Sequence, residues 1–90
     1  MERLEVVFVG RVQGVYFRAT AEDLARDFAV TGYVRNEPDG SVRLVAEGER
    51  DELEGFLAAV KQAKRDNIQR TDEGWRRATG EFNEFRIAYR

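Results

Sequence analysis

Two stretches of helically spaced apolar residues, each set between stretches of strand character, limit what this chain can fold into more than any other feature. In the first, Phe17, Ala21, Leu24, Ala25 and Phe28 recur at the spacing of one helix face. In the second, Leu53, Phe56, Leu57 and Val60 form the apolar stripe. Glu49, Asp51, Glu52 and Glu54 crowd its start and Lys61, Lys64 and Arg65 its end, which complements the helix dipole at both poles. Residues 3–9 are rich in β-branched and aromatic side chains and put Leu4, Val6 and Phe8 on one strand face. Thr31-Gly32 is expected to end the first helix, and residues 33–36 to form a second strand. Glu37-Pro38-Asp39-Gly40 reads as a tight turn, because proline presets the first central dihedral and glycine tolerates positive φ. Residues 41–48 alternate as a third strand and close the hairpin. Residues 67–75 are a poor strand by composition, whereas Phe85, Ile87 and Tyr89 alternate cleanly and mark a last one.

The order is therefore β-α-β-β-α-β-β with a weak fourth strand. It predicts an α+β chain of ferredoxin-like α/β sandwich type, two helices packed on one face of a mainly antiparallel four- to five-stranded sheet. With 90 residues there is room for one modest core, and residues 1–90 are expected to form a single domain. That scaffold hosts enzymes, RNA binders and regulatory modules alike, so the chemistry has to be read from particular residues.

Several chemistries are excluded at once. The chain has no cysteine and no histidine, which removes disulfides, thiolate nucleophiles, imidazole bases and the commonest zinc ligands. Freedom from cysteine fits a reducing compartment, and a cytoplasmic location is expected. A formal net charge of −2 argues against a general nucleic-acid binder, and no apolar run reaches membrane-spanning length.

The informative segment is Gly10-Arg11-Val12-Gln13-Gly14-Val15-Tyr16-Phe17-Arg18, which runs from the end of a strand into the start of a helix. Two glycines allow such a loop to curl so that successive N–H groups point inward and form an anion site. The helix N-terminus adds unpaired N–H groups and partial positive charge. Arg18 then puts a full positive charge in the first helical turn, the unfavourable pole for a cation by roughly 0.3–1 kcal/mol. A bound anion reverses the sign of that interaction; a solvated arginine in an ordinary connection is the alternative. Asn36 is the second candidate. It ends a strand, where asparagine is depleted, and its amide can hold a water with one atom while the other contacts substrate. Alternatively, Asn36 caps the hairpin turn. The acidic residues of the second helix read as a solvated face, Arg35, Arg43, Arg76 and Arg77 as part of a mixed surface, and Tyr33 and Trp75 as packing residues.

Taken together, the residues 10–18, Thr31-Gly32-Tyr33-Val34-Arg35-Asn36, Asp39-Gly40-Ser41-Val42, Ala46-Glu47-Gly48 and the segment 80–87 resemble the acylphosphatase family over nearly the whole chain. Tyr16 stands where many members carry a smaller residue, and the fourth strand is poorer in valine than is usual. The resemblance implies hydrolysis of the carboxyl–phosphate bond of small acyl phosphates to carboxylate and orthophosphate, with no metal or other cofactor. It makes Arg18 the phosphate-binding arginine and Asn36 the water-positioning residue. It makes the backbone of Gln13, Gly14, Val15, Tyr16, Phe17 and Arg18 the phosphate cradle. The expected ligands are a small acyl phosphate and inorganic phosphate, its product and competitor, with no nucleic acid or membrane partner and a monomeric state.

This chemistry agrees with the residues present. The leaving group of an acyl phosphate is a carboxylate that needs no protonation near neutral pH, so a chain without histidine can catalyse its hydrolysis. A loose phosphoryl transition state needs positioning and charge neutralisation, which Arg18, the loop amides and Asn36 supply, and a phosphate oxygen of the substrate is the expected proton acceptor. Two alternatives stay open at this point: an RNA-binding module, for which Val7, Val9 and Arg43 make poor stacking platforms, and a non-catalytic anion sensor using the same cradle.

Overall fold

The computed structural model describes residues 1–89. The elements run β1 (Glu2–Gly10), α1 (Phe17–Ala25), β2 (Val30–Asn36), β3 (Val42–Gly48), α2 (Arg50–Ala63), β4 (Ile68–Arg77) and β5 (Phe85–Ala88). They build one five-stranded sheet in the order β4-β1-β3-β2-β5. All neighbours are antiparallel except β2 and β5, which run parallel. In each βαβ unit a strand of the other unit sits between the two joined strands, which is the expected ferredoxin-like arrangement with an added edge strand.

Strand alternation makes one sheet face apolar. Leu4, Val6 and Phe8 of β1, Val34 of β2, and Val42, Leu44 and Ala46 of β3 are all buried there. Both helices cover this face, bringing Phe17, Ala21 and Ala25 from α1 and Leu53, Phe56, Leu57 and Val60 from α2. Each fully buried aliphatic or aromatic side chain contributes about 1.5–3 kcal/mol relative to exposure.

Two expectations are corrected, and a third is borne out over a longer span. Helix α1 ends at Ala25, short of Phe28 and well before Thr31-Gly32, which belongs to β2. The chain leaves the helix through bonds from the Arg26, Asp27 and Phe28 N–H groups to the carbonyls three residues back. This tighter winding still brings Phe28 onto Phe56, with ring centroids 5.9 Å apart. The second strand accordingly starts at Val30, three residues earlier than its composition indicates. The weak segment 67–75 is a ten-residue strand, Ile68–Arg77, paired along β1 from Glu2 to Gly10. Its poor β-propensity is overridden by the open edge of β1, and its charges suit an outer strand that must not pair further.

The opposite sheet face is crossed by residues 78–84, which carry the chain from the β4 edge to the β5 edge. Glu47, buried on central strand β3, grips this crossing. Its carboxylate accepts the Thr79 and Gly80 N–H groups, each at 2.9 Å, and the Thr79 hydroxyl at 3.0 Å, with Arg3 alongside at 3.4 Å. Burial alone would push the Glu47 carboxyl up, but these hydrogen bonds and the Arg3 charge hold it below the usual glutamate value. Phe82 packs edge-on to Tyr33 and under the Arg3 guanidinium. The Glu84 carbonyl takes the Gly32 N–H at 2.9 Å, and on α1 the Glu22 carboxylate takes the Ile87 N–H at 3.1 Å. These contacts seat β5, and with it Ile87 and Tyr89, beside β2. Among the described residues no helix is long and apolar enough to cross a membrane.

Candidate active site

The β1–α1 loop is anchored at both ends by apolar residues. Val12 is fully buried, and Phe17 is buried against Phe8 with ring centroids 4.9 Å apart. Between them the chain must arch, and it does so with left-handed residues at Gly14 (φ 73°) and Tyr16 (φ 61°). Glycine adopts that conformation freely; for tyrosine it costs about 1–2 kcal/mol. Left-handed residues two apart curl a backbone so that neighbouring N–H groups converge on one concave side. Tyr16 is also the N-cap residue of α1, and its side chain makes no capping hydrogen bond. The first helical bond of α1 runs from the Thr20 N–H to the Tyr16 carbonyl at 2.9 Å, so the amides of Phe17, Arg18 and Ala19 lie ahead of any acceptor in their own helix. No acidic residue occupies the first turn.

Arg18 and Asn36 meet here. Both line a cleft of about 450 Å³ with Val12, Gly14, Tyr16, Phe17 and Tyr89, and a smaller adjoining hollow continues over Pro38. The Arg18 guanidinium lies over the Tyr89 ring, 5.2 Å from its centroid. Among the described residues no carboxylate lies within ion-pair distance of it, in contrast to Arg35, whose Nε donates to Glu37 at 2.7 Å. An aromatic face holds a guanidinium without neutralising it or occupying its N–H fork.

The turn-capping alternative for Asn36 fails on geometry. The hairpin turn is closed by the Glu37 N–H to the Ser41 carbonyl at 2.9 Å and the Gly40 N–H to the Glu37 carbonyl at 3.1 Å. Asp39 does the capping: its Oδ1 accepts the Ser41 N–H at 2.9 Å and the Ser41 hydroxyl at 2.6 Å. Among the described residues the Asn36 amide hydrogen-bonds to no other protein group. Strand alternation puts Asn36 on the helix side of the sheet and Arg35 on the opposite face.

Two contacts that brace the loop were not foreseen from the sequence. The Gln13 Nε2 donates to the carbonyls of Glu37 at 2.8 Å and Ser41 at 2.9 Å, tying the loop to the β2–β3 turn that follows Asn36. The Lys64 Nζ donates to the Val15 carbonyl at 2.6 Å. Gly10, at a bulge where β1 leaves the sheet register, touches the same α2–β4 connection: an added Cβ would run into the Asn67 carbonyl oxygen. An uncharged polar side chain directly before a loop glycine is the available signal for Gln13. Lys64 reads in the sequence as a dipole complement, and nothing local separates that role from this one.

The other polar groups behave as a mixed surface. Arg43 and Arg76 both lie 3.5 Å from Glu5, Tyr33 packs on Phe82, and Trp75 carries the Arg50 guanidinium over its ring at 3.7 Å. Tyr33 and Trp75 are thus engaged as packing residues.

The structure combines a ferredoxin-like fold with a cleft lined by the curled β1–α1 loop, by Arg18 and by the Asn36 amide. A model of the acylphosphatase family matches residues 4–87. The chain is 45% identical over 87 residues to the acylphosphatase of Salinibacter ruber, covering 96% of this chain and 92% of that one. It is 41% identical over 88 residues to that of Methylococcus capsulatus, covering 97% and 96%. The crystal structure of acylphosphatase from Bacillus subtilis superposes with a TM-score of 0.88 at 30% identity, covering 99% of this chain and all of the other. The chain belongs to the acylphosphatase family.

Proposed function

We propose that this chain hydrolyses the carboxyl–phosphate bond of small acyl phosphates, with the phosphoryl group held by Arg18 and the Gln13–Arg18 backbone and the attacking water held by Asn36. The observation that carries this reading is the meeting of Arg18 and Asn36 at one cleft, beside the amides of Phe17, Arg18 and Ala19, which among the described residues have no backbone acceptor. Arg18 presents a planar fork to two phosphoryl oxygens, and the amides at the start of α1 take the remaining negative charge. The Asn36 amide, uncommitted within the protein, orients a water on the phosphorus side opposite the leaving group.

In the step itself the water oxygen forms a bond to phosphorus as the bond from phosphorus to the acyl oxygen breaks. The electron pair of that bond leaves with the carboxylate. One water proton passes to a phosphoryl oxygen and the other stays on the new hydroxyl, so an acyl phosphate dianion and water give a carboxylate and dihydrogen phosphate. No group on the protein has to accept or give a proton, in keeping with a chain that has no histidine. The whole chain acts as one domain in this reading, as a monomer in the cytoplasm.

The test is turnover of benzoyl phosphate or acetyl phosphate by the purified protein. Steady hydrolysis that inorganic phosphate inhibits competitively supports the reading; phosphate binding with no turnover would replace it with the anion-sensor alternative.

A further inference from the structure

We propose that Lys64, at the C-terminal cap of α2, is a positioning residue of the anion cradle: it fixes the Val15–Tyr16 peptide so that the Tyr16 N–H faces the phosphoryl group. The proposal rests on the reading of the Gln13–Arg18 loop as the phosphate site.

The Lys64 Nζ donates to the Val15 carbonyl at 2.6 Å, across 49 residues of sequence. A peptide group is planar, and the Val15–Tyr16 bond is trans, so the Tyr16 N–H is antiparallel to the carbonyl that Lys64 holds. Neither Lys64 nor Val15 lines the cleft, while Gly14, Tyr16, Phe17 and Arg18 do. Pulling the carbonyl oxygen to the Lys64 side therefore turns the amide hydrogen to the cleft side. An ammonium on the carbonyl also draws electron density from the amide nitrogen and makes that N–H a stronger donor.

The base from which Lys64 reaches is well held. Its own N–H bonds to the Val60 carbonyl, and its carbonyl accepts the N–H groups of Asn67 and Ile68 at 2.9 and 3.1 Å. The same connection grips the other end of the loop, since the Asn67 carbonyl accepts the Arg11 N–H at 2.9 Å. Lys61, one turn earlier, pairs with Glu73 at 2.6 Å. Among the described residues Lys64 has no carboxylate in ion-pair range and gives its charge to the loop carbonyl. A charge-assisted bond at this point offsets the left-handed conformation of Tyr16, whose φ of 61° would otherwise relax and rotate its N–H away.

The experiment uses the full chain with Lys64→Met and Lys64→Arg. Without ligand, the Val15 carbonyl carbon resonance is expected to move upfield in Lys64→Met and to return toward the wild-type position in Lys64→Arg, while the Val6 and Leu44 carbonyls stay in place. With inorganic phosphate as probe, Lys64→Met should raise Kd about tenfold, the scale for losing one hydrogen bond to a charged group, and Lys64→Arg should recover most of it. An unmoved Val15 resonance overturns the contact. A moved resonance with unchanged phosphate Kd in the folded protein overturns the positioning role and leaves Lys64 a structural tether. If the wild-type protein itself binds no phosphate, the site reading fails and the proposal with it, and that result is separate from the ligand-free resonance.

Discussion

The guanidinium of Arg18 rests over the ring of Tyr89, 5.2 Å from its centroid, at the edge of the cleft that Asn36 also lines. The pairing places the cation without spending its hydrogen-bonding fork, and Tyr89, 77% exposed, stays at the rim. Arg18→Lys keeps the charge but loses the planar fork, so kcat/KM for an acyl phosphate should fall by about 10² or more. Arg18→Ala should abolish most phosphate affinity as well. Near-normal kcat/KM in the lysine variant would remove the bidentate role.

Asp39 makes the turn-capping bonds that sequence alone leaves open to Asn36. Asn36→Ala should lower kcat and kcat/KM together by about 10², with KM and phosphate inhibition little changed and the melting temperature close to wild type. Asp39→Ala removes both bonds to Ser41 and should cost about 1 kcal/mol of stability, with kcat of the folded fraction intact. Melting curves and active-fraction kcat on both variants separate the roles. A destabilised but fully active Asn36→Ala protein would take Asn36 out of the mechanism.

Hydrolysis should persist in excess chelator. The chain has no histidine or cysteine, and among the described residues no three carboxylates are grouped to hold a cation. Activity lost to chelator and restored by magnesium would place a metal in the step. Inorganic phosphate should compete with substrate, because the proposed site gives product and substrate the same cradle; purely non-competitive inhibition would contradict a common site.

Glu47 sets an acid limit on stability. Its carboxyl is held below the ordinary value in the folded protein, so folding favours the ionised form. That contribution is complete above the unfolded pKa, roughly 4.3, and is lost as pH falls through the lower folded value. Urea midpoints measured from pH 6 downward should therefore drop below about pH 4.5 more steeply in wild type than in Glu47→Gln. The glutamine variant, left with fewer acceptors for Thr79 and Gly80, should be less stable at pH 7 by about 1–3 kcal/mol. Equal slopes in the two proteins would show that the buried carboxylate does not govern the acid transition.

What the sequence by itself determined lies within short stretches of chain. Strand alternation in β1, the apolar stripe of α2 and the Pro38-Gly40 turn depend on neighbours a few residues apart, so their pattern carries them. The loop motif from Gly10 to Arg18 is contiguous, and Arg18 at the wrong pole of a dipole is a local contradiction that points to an anion. Only the tertiary structure decided which partner each polar group takes. Gln13 reaches carbonyls 24 and 28 residues away, and Lys64 one 49 residues away, and no periodicity encodes such pairs. The end of α1 is set by how Phe28 must meet Phe56, and the length of β4 by the free edge of β1, both stronger than local propensity. The freedom of Asn36 follows from Asp39 having taken the turn, and the parallel seating of β5 follows from the grip of buried Glu47 on the crossing chain. These are contacts between segments brought together by burial of the shared core, and their energies exceed the local preferences from which a sequence can be read.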